Sequence, residues 1–420
     1  MIDKEPHSYI FNGDKSTCTG CGACVQICPK QALVLKNDED GFLYPQMDND
    51  LCVKCGACER ICPAVNDDQS NKDRKEQHCY LGTTSLESYY KESASIGLCT
   101  MLAECIVKSG GIVYGAFLDE EKWQVRHIQV SDTEGVERIR NSKYVQSDTG
   151  TTFAEVKQHL KDGKTVLYIG TPCQIAGLKA YLKIVPENLY TIDLICHGVT
   201  SPKLMPLEVK YWEKLFNSKI TNFRFRSKRK YTQTNCGMVN FDLVQKNGKT
   251  KHIERFAGSS PTYHCFAYST DGINYNLRLS CYSCIFKSKG RYGDLTIGDP
   301  WLATKGVVKN PLLRPGKIIR SLYSANTLKG AELLKLAEEH LIQEEQAYDD
   351  TFVQPAVCEE TRAIPSKRQM LFENLDNEDY GTLVERVFEC DLEHEHKKFA
   401  ADYYKKAIKK AIKKLILRKN

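Results

Sequence analysis

A duplicated cysteine motif is the feature that most limits what this chain can fold into. Residues 18–29 read CTGCGACVQICP and residues 52–63 read CVKCGACERICP, so each stretch has the form C-x-x-C-x-x-C-x-x-x-C-P. Three thiolates at this spacing can wrap one end of an iron–sulfur cubane, and the fourth cysteine of each run binds the other cluster in two-cluster ferredoxins. The motif therefore predicts two [4Fe–4S] clusters and a role in moving electrons.

The crossed ligand pattern assigns four cysteines to each predicted cluster. The first set is Cys18, Cys21, Cys24 and Cys62, and the second set is Cys28, Cys52, Cys55 and Cys58. Gly22 and Gly56 lie where the backbone must pass close to a cluster and offer N–H groups to sulfur. Zinc knuckles are one alternative, but zinc sites usually space their cysteine pairs further apart. Disulfides are another, and they are unusual in a chain without a secretory signal.

Composition and charge narrow the class of protein further. A chain of 420 residues is long enough for two or three domains. The net charge of +6 is mild, so no nucleic-acid partner is expected. The sequence has no apolar leader and no apolar run long enough to cross a bilayer, which predicts a cytoplasmic protein with reduced thiols. Exposed clusters tolerate oxygen poorly, which suggests an anaerobic host.

Beyond the motif, the sequence predicts a mixed fold, α+β followed by α/β. Residues 1–66 are expected to form a two-cluster ferredoxin-like domain, and 67–79 a linker, because 66–77 contain no apolar side chain. Helices are predicted over 95–108, 151–162 and 328–341, and residues 112–117 and 125–130 are predicted to form a hairpin. Residues 223–230 alternate apolar and basic side chains, which suggests an edge strand. Residues 346–420 are expected to be a helical tail.

A βαβ unit is predicted from 165 to 195. Strands over 165–169 and 190–195, joined by a helix, should form a parallel pair. Cys173 and Cys196 then follow the carboxyl ends of these strands, which is the edge where open α/β sheets bind ligands.

Four cysteines in turns suggest a further metal site. This third set is Cys173, Cys196, Cys281 and Cys284, and it supplies the four thiolates that a third [4Fe–4S] cluster needs. A zinc site that includes His197 or His264 is an alternative, and so is a dithiol redox pair at Cys281 and Cys284. The remaining cysteines are interpreted as small buried hydrophobes: Cys79, Cys99, Cys105, Cys236, Cys265, Cys358 and Cys390.

Several segments resemble one known family. They read KSGGIVYGA at 108–116, RNSKYVQS at 140–147, YIGTPCQIAGLK at 168–179, DLICHGV at 193–199, and CYSC at 281–284 with the later GDLTIGDPW at 293–301. The chain resembles the beta subunit of coenzyme F420 hydrogenases and dehydrogenases, which is related to 7-hydroxymethyl chlorophyll a reductase, with a bacterial-type 2[4Fe–4S] ferredoxin in front. The likeness assigns 80–165 to the N-terminal-like region of that subunit and 166–345 to its C-terminal-like region. One departure is Ser95-Ile96-Gly97, where members of the family commonly have Ser-Gly-Gly.

The resemblance implies a non-covalent FAD beside an iron–sulfur cluster, with coenzyme F420 or a small substrate on its open face. The residues implied to contact the flavin are Ser142, Lys143, Tyr144, Gln146, Ser147, Thr171, Pro172 and Gln174. The chain has no GxGxxG after a strand, so this flavin would be held without a Rossmann fingerprint. The helix that opens at Pro172 offers free N–H groups to an anion.

Two functions are compatible with these observations. The first is a flavin-dependent oxidoreductase that takes electrons from ferredoxin or another redox protein and passes them to a small molecule, with His197 as a candidate for proton transfer. The second is a non-catalytic electron-transfer subunit that feeds a partner enzyme. The basic segment 397–420 is expected to dock an acidic partner, to lie on an anionic membrane, or to pack on its own domain. An oligomeric assembly is a further expectation.

Overall fold

The computed structural model describes residues 8–66, 77–226, 237–269, 273–300, 308–314, 318–347 and 361–417. The chain divides into two compact units. The first comprises Met1–Lys203 and Leu277–Ile364, and the second comprises Leu204–Asn276 and Pro365–Asn420. Within the described residues, no helix combines the length and the apolar character needed to cross a membrane.

An eight-stranded mixed sheet forms the centre of the first unit. Its strands are β3 (His78–Thr84), β4 (Ile112–Asp119), β5 (Gln124–Val130), β6 (Val166–Gly170), β7 (Leu189–Leu194), β11 (Leu295–Gly298), β12 (Ser321–Ala325) and β13 (Leu341–Gln346). They are arranged in the order β13-β3-β12-β11-β7-β6-β4-β5. The four central strands β4, β6, β7 and β11 are parallel, and the outer pairings are antiparallel. The predicted parallel pair and the predicted hairpin are both confirmed.

Helices cover both faces of this sheet, because its central strands are apolar on both sides. The helices of the sheet region are α4 (Glu87–Glu92), α5 (Leu98–Lys108), α6 (Thr133–Ile139), α7 (Thr152–Lys161), α8 (Pro172–Leu182) and α11 (Leu328–Lys335). On one face, Leu167 packs in a core with residues of α5 and α11. On the other face, the next residue, Tyr168, packs with residues of α7 and α8. This alternation places α8, and therefore Cys173, on the second face.

The N-terminal segment packs on that second face. It contains α1 (Tyr9–Asn12), α2 (Ala23–Ile27), α3 (Ala57–Arg60) and the antiparallel pair β1 (Leu33–Asn37) and β2 (Leu43–Met47). Cys21, Ala23 and Ile61 belong to the same hydrophobic core as Phe153 and Ile175. Residues 8–66 therefore share a core with the sheet, whereas the sequence suggested a separate domain followed by a linker.

The second unit is built around a three-stranded antiparallel sheet in the order β10-β9-β8. Its elements are α9 (Leu204–Phe216), β8 (Lys219–Arg224), β9 (Met238–Val244), β10 (Thr250–Phe256), α10 (Pro261–Tyr263), α12 (Ser366–Glu373), α13 (Tyr380–Phe388) and α14 (Leu392–Leu417). Phe256 of β10 stacks on Phe399 of α14 at a ring distance of 4.4 Å. The beginning of α14 therefore packs on its own unit, which was one of the three expectations for this helix.

The unit boundaries differ from the domain boundaries that the sequence suggested. Residues 204–276 fall within the predicted region 166–345, yet they cluster with residues after 365. Long-range pairing of this kind leaves no local sequence pattern. Of the edge strand predicted over 223–230, only residues 223 and 224 belong to β8, which lies at an edge of the three-stranded sheet, and residues 227–230 lie outside the described part of the chain.

Two smaller expectations also change. The helix predicted over 328–341 ends at Lys335, and β13 begins at Leu341. Ile96, which departs from the family pattern, is fully buried in the core beside α5. Of the cysteines interpreted as small hydrophobes, Cys79 and Cys265 are buried. Cys99, Cys105 and Cys390 are half-buried, whereas Cys236 and Cys358 lie outside the described residues.

Candidate iron–sulfur sites

The first set of cysteines lines one cavity. Cys18, Cys21, Cys24 and Cys62 all lie on its wall, together with Tyr9 and Pro45. Burial, with a smaller effect of the Cys18 charge, raises the pKa of Cys62 to about 11. Residues from both motif runs therefore meet at one cavity, in the crossed pattern that the sequence predicts.

The second set lies nearer the surface. Cys55 is exposed, and Cys28, Cys52 and Cys58 are half-buried. The backbone N–H of Ala32 donates a hydrogen bond of 3.3 Å to Cys28 Sγ. Burial raises the pKa of Cys58, and the charge of Cys28 adds to that rise, so the two runs also approach each other here. Amide donors of this kind stabilise cluster sulfur.

The third set lines a second cavity. Cys173, Cys196, Cys281 and Cys284 all contribute to its wall. Cys173 lies in the first turn of α8, directly after β6, and Cys196 follows the adjacent parallel strand β7. Cys281 ends a short 3-10 helix, Leu279–Cys281, in the segment that leads to β11, the other parallel neighbour of β7. The sheet edge therefore brings the four predicted thiols together.

The chemistry of this cavity suits an iron–sulfur cluster. Burial, together with the charges of neighbouring thiols, raises the pKa of Cys173 to about 11 and that of Cys196 to about 12. Four half-buried thiolates lining one cavity need a positively charged partner, which the iron of a cluster supplies. Among the described residues, no three His, Cys, Asp or Glu side chains are close enough to hold a single metal ion. A cubane holds its cysteines further apart than one ion does, so the lack of a single-ion site does not argue against a cluster here.

The two cavities are adjacent. Thr19 lines both of them. Helix α8 also approaches the first set, because a Cβ at Gly177 would lie 3.0 Å from Cys21 Sγ. Cys173 lies one turn earlier on the same helix, so α8 contributes to one cavity and packs against the other.

A cation also lines the second cavity. Lys287 is buried, and its Nζ donates to the Cys281 carbonyl at 3.0 Å. Burial lowers the pKa of Lys287. No sequence pattern marks Lys287, because a lysine near a C-x-x-C pair has no distinctive spacing.

The residues predicted to contact a flavin come from two segments, which meet where Gln174 contacts Ser147. Thr171 and Pro172 line the second cavity. Gln174 Oε1 accepts from the Thr171 N–H at 3.0 Å, and Gln174 Nε2 donates to the Ser147 carbonyl at 3.2 Å. Ser147 Oγ is 2.8 Å from Nδ1 of the buried His127. These polar groups therefore hold α8 to the residue 147 region.

The other members of that predicted set lie before Ser147. Lys143 Nζ donates to the carbonyls of Ile139 and Arg140, at the end of α6. Ser142 and Tyr144 are half-buried, while Gln146 is buried and accepts from Arg278 at 3.2 Å. Whether these residues contact a flavin stays a prediction.

His197, the candidate for proton transfer, is half-buried between Cys196 and Gly198. Both neighbours line the second cavity, but His197 is not among the lining residues. Its role stays a prediction.

Two models of known protein families match separate segments of the chain. Residues 17–66 match the model of the 4Fe-4S dicluster domain, and residues 163–351 match that of the C terminus of the coenzyme F420 hydrogenase/dehydrogenase beta subunit. The F subunit of the F(420)H(2) dehydrogenase of Methanosarcina mazei is 23% identical over 266 residues, covering 60% of this chain and 72% of that protein. A chain of the F420-reducing [NiFe] hydrogenase complex from Methanosarcina barkeri aligns with 16% identity and a TM-score of 0.39, covering 74% of this chain and 88% of that chain.

The third set of cysteines lies within the second matched segment, and the first two sets lie within the first. Residues 163–351 therefore resemble the C terminus of the coenzyme F420 hydrogenase/dehydrogenase beta subunit, and they follow a segment at residues 17–66 that matches a 4Fe-4S dicluster domain.

Proposed function

We propose that this chain is an iron–sulfur electron-transfer subunit of an oxidoreductase, with three [4Fe–4S] clusters held by the three cysteine sets. When bound, such clusters supply one-electron transfer over a wide range of potentials. The observation that carries the proposal is the second cavity: four cysteines from three separate segments line it, next to the cavity of the first set.

The exposure of the second set supports it as the point where electrons enter or leave. Cys55 is exposed, and the flanking side chains Leu51 and Val53 are 51% and 57% exposed. A redox protein such as a ferredoxin could approach the second set here, because exposed apolar side chains are common in interaction surfaces.

The group that exchanges electrons with the third cluster is proposed from the likeness to known relatives. The M. mazei relative is named as a subunit of an F(420)H(2) dehydrogenase. We infer that FAD lies near Thr171 and Pro172 and exchanges electrons with F420 or another small molecule; a bound flavin supplies the conversion between one- and two-electron chemistry. The second candidate function is a non-catalytic electron-transfer subunit. The internal hydrogen bonds of Gln174 and Ser147 favour it, because those groups are already engaged within the protein.

Metal and flavin analysis of anaerobically purified protein tests these proposals. We expect about twelve irons per chain, from three four-iron clusters. The double variant Cys173→Ser/Cys284→Ser should retain about eight irons, because the first two sets are untouched. Cys99→Ser, at a cysteine that lines neither cavity, is the control and should retain all of them. About eight irons in the unmodified protein would refute the third cluster, and an absence of bound flavin after reconstitution with FAD would leave the non-catalytic function.

A further inference from the structure

Two arginines of the first unit, Arg278 and Arg291, are fully buried, and they differ in what neutralises them. Arg291 Nη2 lies 3.4 Å from the Asp193 carboxylate. Among the described residues, no carboxylate lies within ion-pair distance of Arg278. A buried charge without a counter-charge destabilises a folded protein, so the Arg278 guanidinium is expected to have another group that neutralises it.

The hydrogen bonds of Arg278 go to the first cluster region. Its Nε donates to the Cys18 carbonyl at 2.7 Å, and its Nη2 donates to Cys18 Sγ at 3.4 Å. Its Nη1 donates to the Leu43 carbonyl at 2.9 Å and to Gln146 Oε1 at 3.2 Å. The guanidinium stacks on the Tyr44 ring, 3.8 Å from its centroid. These five partner groups fix the orientation of the guanidinium plane, and the three oxygen acceptors among them, two carbonyls and one amide, carry no formal charge.

Arg278 is also close to the third set along the chain and in space. It lies three residues before Cys281, and Cys281 N donates to the Arg278 carbonyl at 2.9 Å. The Arg278 charge opposes the rise that burial causes in the pKa of Cys173. One permanent positive charge therefore lies beside Cys18 of the first set and acts on Cys173 of the third.

We propose that Arg278 is a positioning residue whose positive charge is neutralised by the cluster held at the first set, and that this charge raises the reduction potential of that cluster. The proposal rests on the proposed function, because it requires a cluster at Cys18. An anionic cluster supplies the missing counter-charge, and adding an electron makes it more negative. A fixed cation close to a ligating sulfur therefore favours the reduced form.

Redox titration monitored by electron paramagnetic resonance tests the proposal in the full-length protein, with iron content measured on the same samples. Arg278→Gln removes the charge and keeps a hydrogen-bond donor. We expect the equilibrium constant for reducing the first cluster to fall by about tenfold, which is a shift of about 59 mV to more negative potential for one electron. The signal of the first cluster is assigned by its loss in Cys18→Ser.

Two variants serve as controls. Arg278→Lys keeps the charge and should stay within about threefold of the unmodified protein in the same equilibrium constant, or about 28 mV for one electron. Arg320→Gln removes another buried arginine of the same unit, which donates to the Leu313 carbonyl and lines neither cavity. It should leave the potential of the first cluster unchanged.

The outcomes distinguish the inference from the function on which it rests. If the unmodified protein has no four-iron signal at the first set, the proposed function fails. If all clusters are present and Arg278→Gln has an unchanged potential, only the role of Arg278 is refuted. If Arg278→Gln loses the first cluster, the Arg278→Lys variant distinguishes the two explanations. A first cluster that is retained in Arg278→Lys at the potential of the unmodified protein supports the proposal. Loss of the cluster in both variants refutes it, because Arg278 is then needed only for folding.

Discussion

At the scale of single residues, His127 shows how the interior fixes a protonation state. Its Nε2 is 3.0 Å from the Ile169 carbonyl, which can only accept, so the ring proton lies on Nε2. Nδ1 then accepts from Ser147 Oγ at 2.8 Å. The ring stacks on Tyr168 at 5.2 Å. Protonation would place a second donor against a hydroxyl in an apolar site.

This arrangement predicts a pH dependence of stability. Burial, with a smaller effect of the Lys143 charge, lowers the pKa of His127 from 6.5 to about 4. The unfolded chain therefore binds more protons than the folded chain between these values, so stability is lost as the pH falls through that range. We expect the free energy of unfolding to fall by about 2 kcal/mol between about pH 7 and about pH 5 from this residue.

Urea denaturation of the unmodified protein and of His127→Gln at the two pH values checks this expectation. The variant should be less stable at neutral pH, because it loses the ring stacking, but its stability should fall less on acidification. Equal pH dependence in both proteins would contradict the assignment of this loss to His127.

At the scale of elements, α8 depends on a glycine that packs against a predicted cluster ligand. A Cβ at Gly177 would lie 3.0 Å from Cys21 Sγ and 3.1 Å from Cys21 Cβ. Alanine is preferred to glycine inside a helix by about 1 kcal/mol, so Gly177→Ala should help the isolated helix. In the folded protein it must displace Cys21, and we expect loss of up to about four irons, those of the first cluster.

Iron content and the spectrum of the first cluster measure this effect. Ala180→Ser adds one heavy atom at a half-buried position of the same helix and should leave both unchanged. An unmodified iron content and spectrum in Gly177→Ala would show that Cys21 tolerates the added carbon and would contradict the prediction.

At the scale of the whole molecule, the sequence predicted the strands and the cluster ligands, because both depend on the order of neighbouring residues. Val166–Gly170 and Leu189–Leu194 are short apolar runs that end in turns, and their parallel pairing brings Cys173 and Cys196 to one edge. The cysteine spacing predicted which residues of 18–62 line the first cavity.

Contacts between distant segments were not predictable in the same way. The clustering of residues 204–276 with those after 365 depends on tertiary packing. Arg278, between two leucines, has the local pattern of a charged residue on an exposed strand face, and only the structure reveals that it is buried against Cys18. The shared core of Cys21 and Phe153 likewise depends on packing that no spacing encodes.

That shared core predicts how the first unit responds to loss of iron. Thr149 Oγ1 donates to the Cys21 carbonyl at 2.9 Å, and the Phe153 N–H donates to Gln26 Oε1 at 2.9 Å. Binding of a cluster to the folded state alone stabilises everything that unfolds with the site. Removing iron with a chelator should therefore accelerate amide hydrogen exchange in α7 and α8 as well as in residues 17–66. Gln26 and Cys21 link the N-terminal segment to α7 and to the turn at residue 149. If hydrogen exchange accelerates only within residues 17–66, that segment unfolds as an independent domain, contrary to its packing.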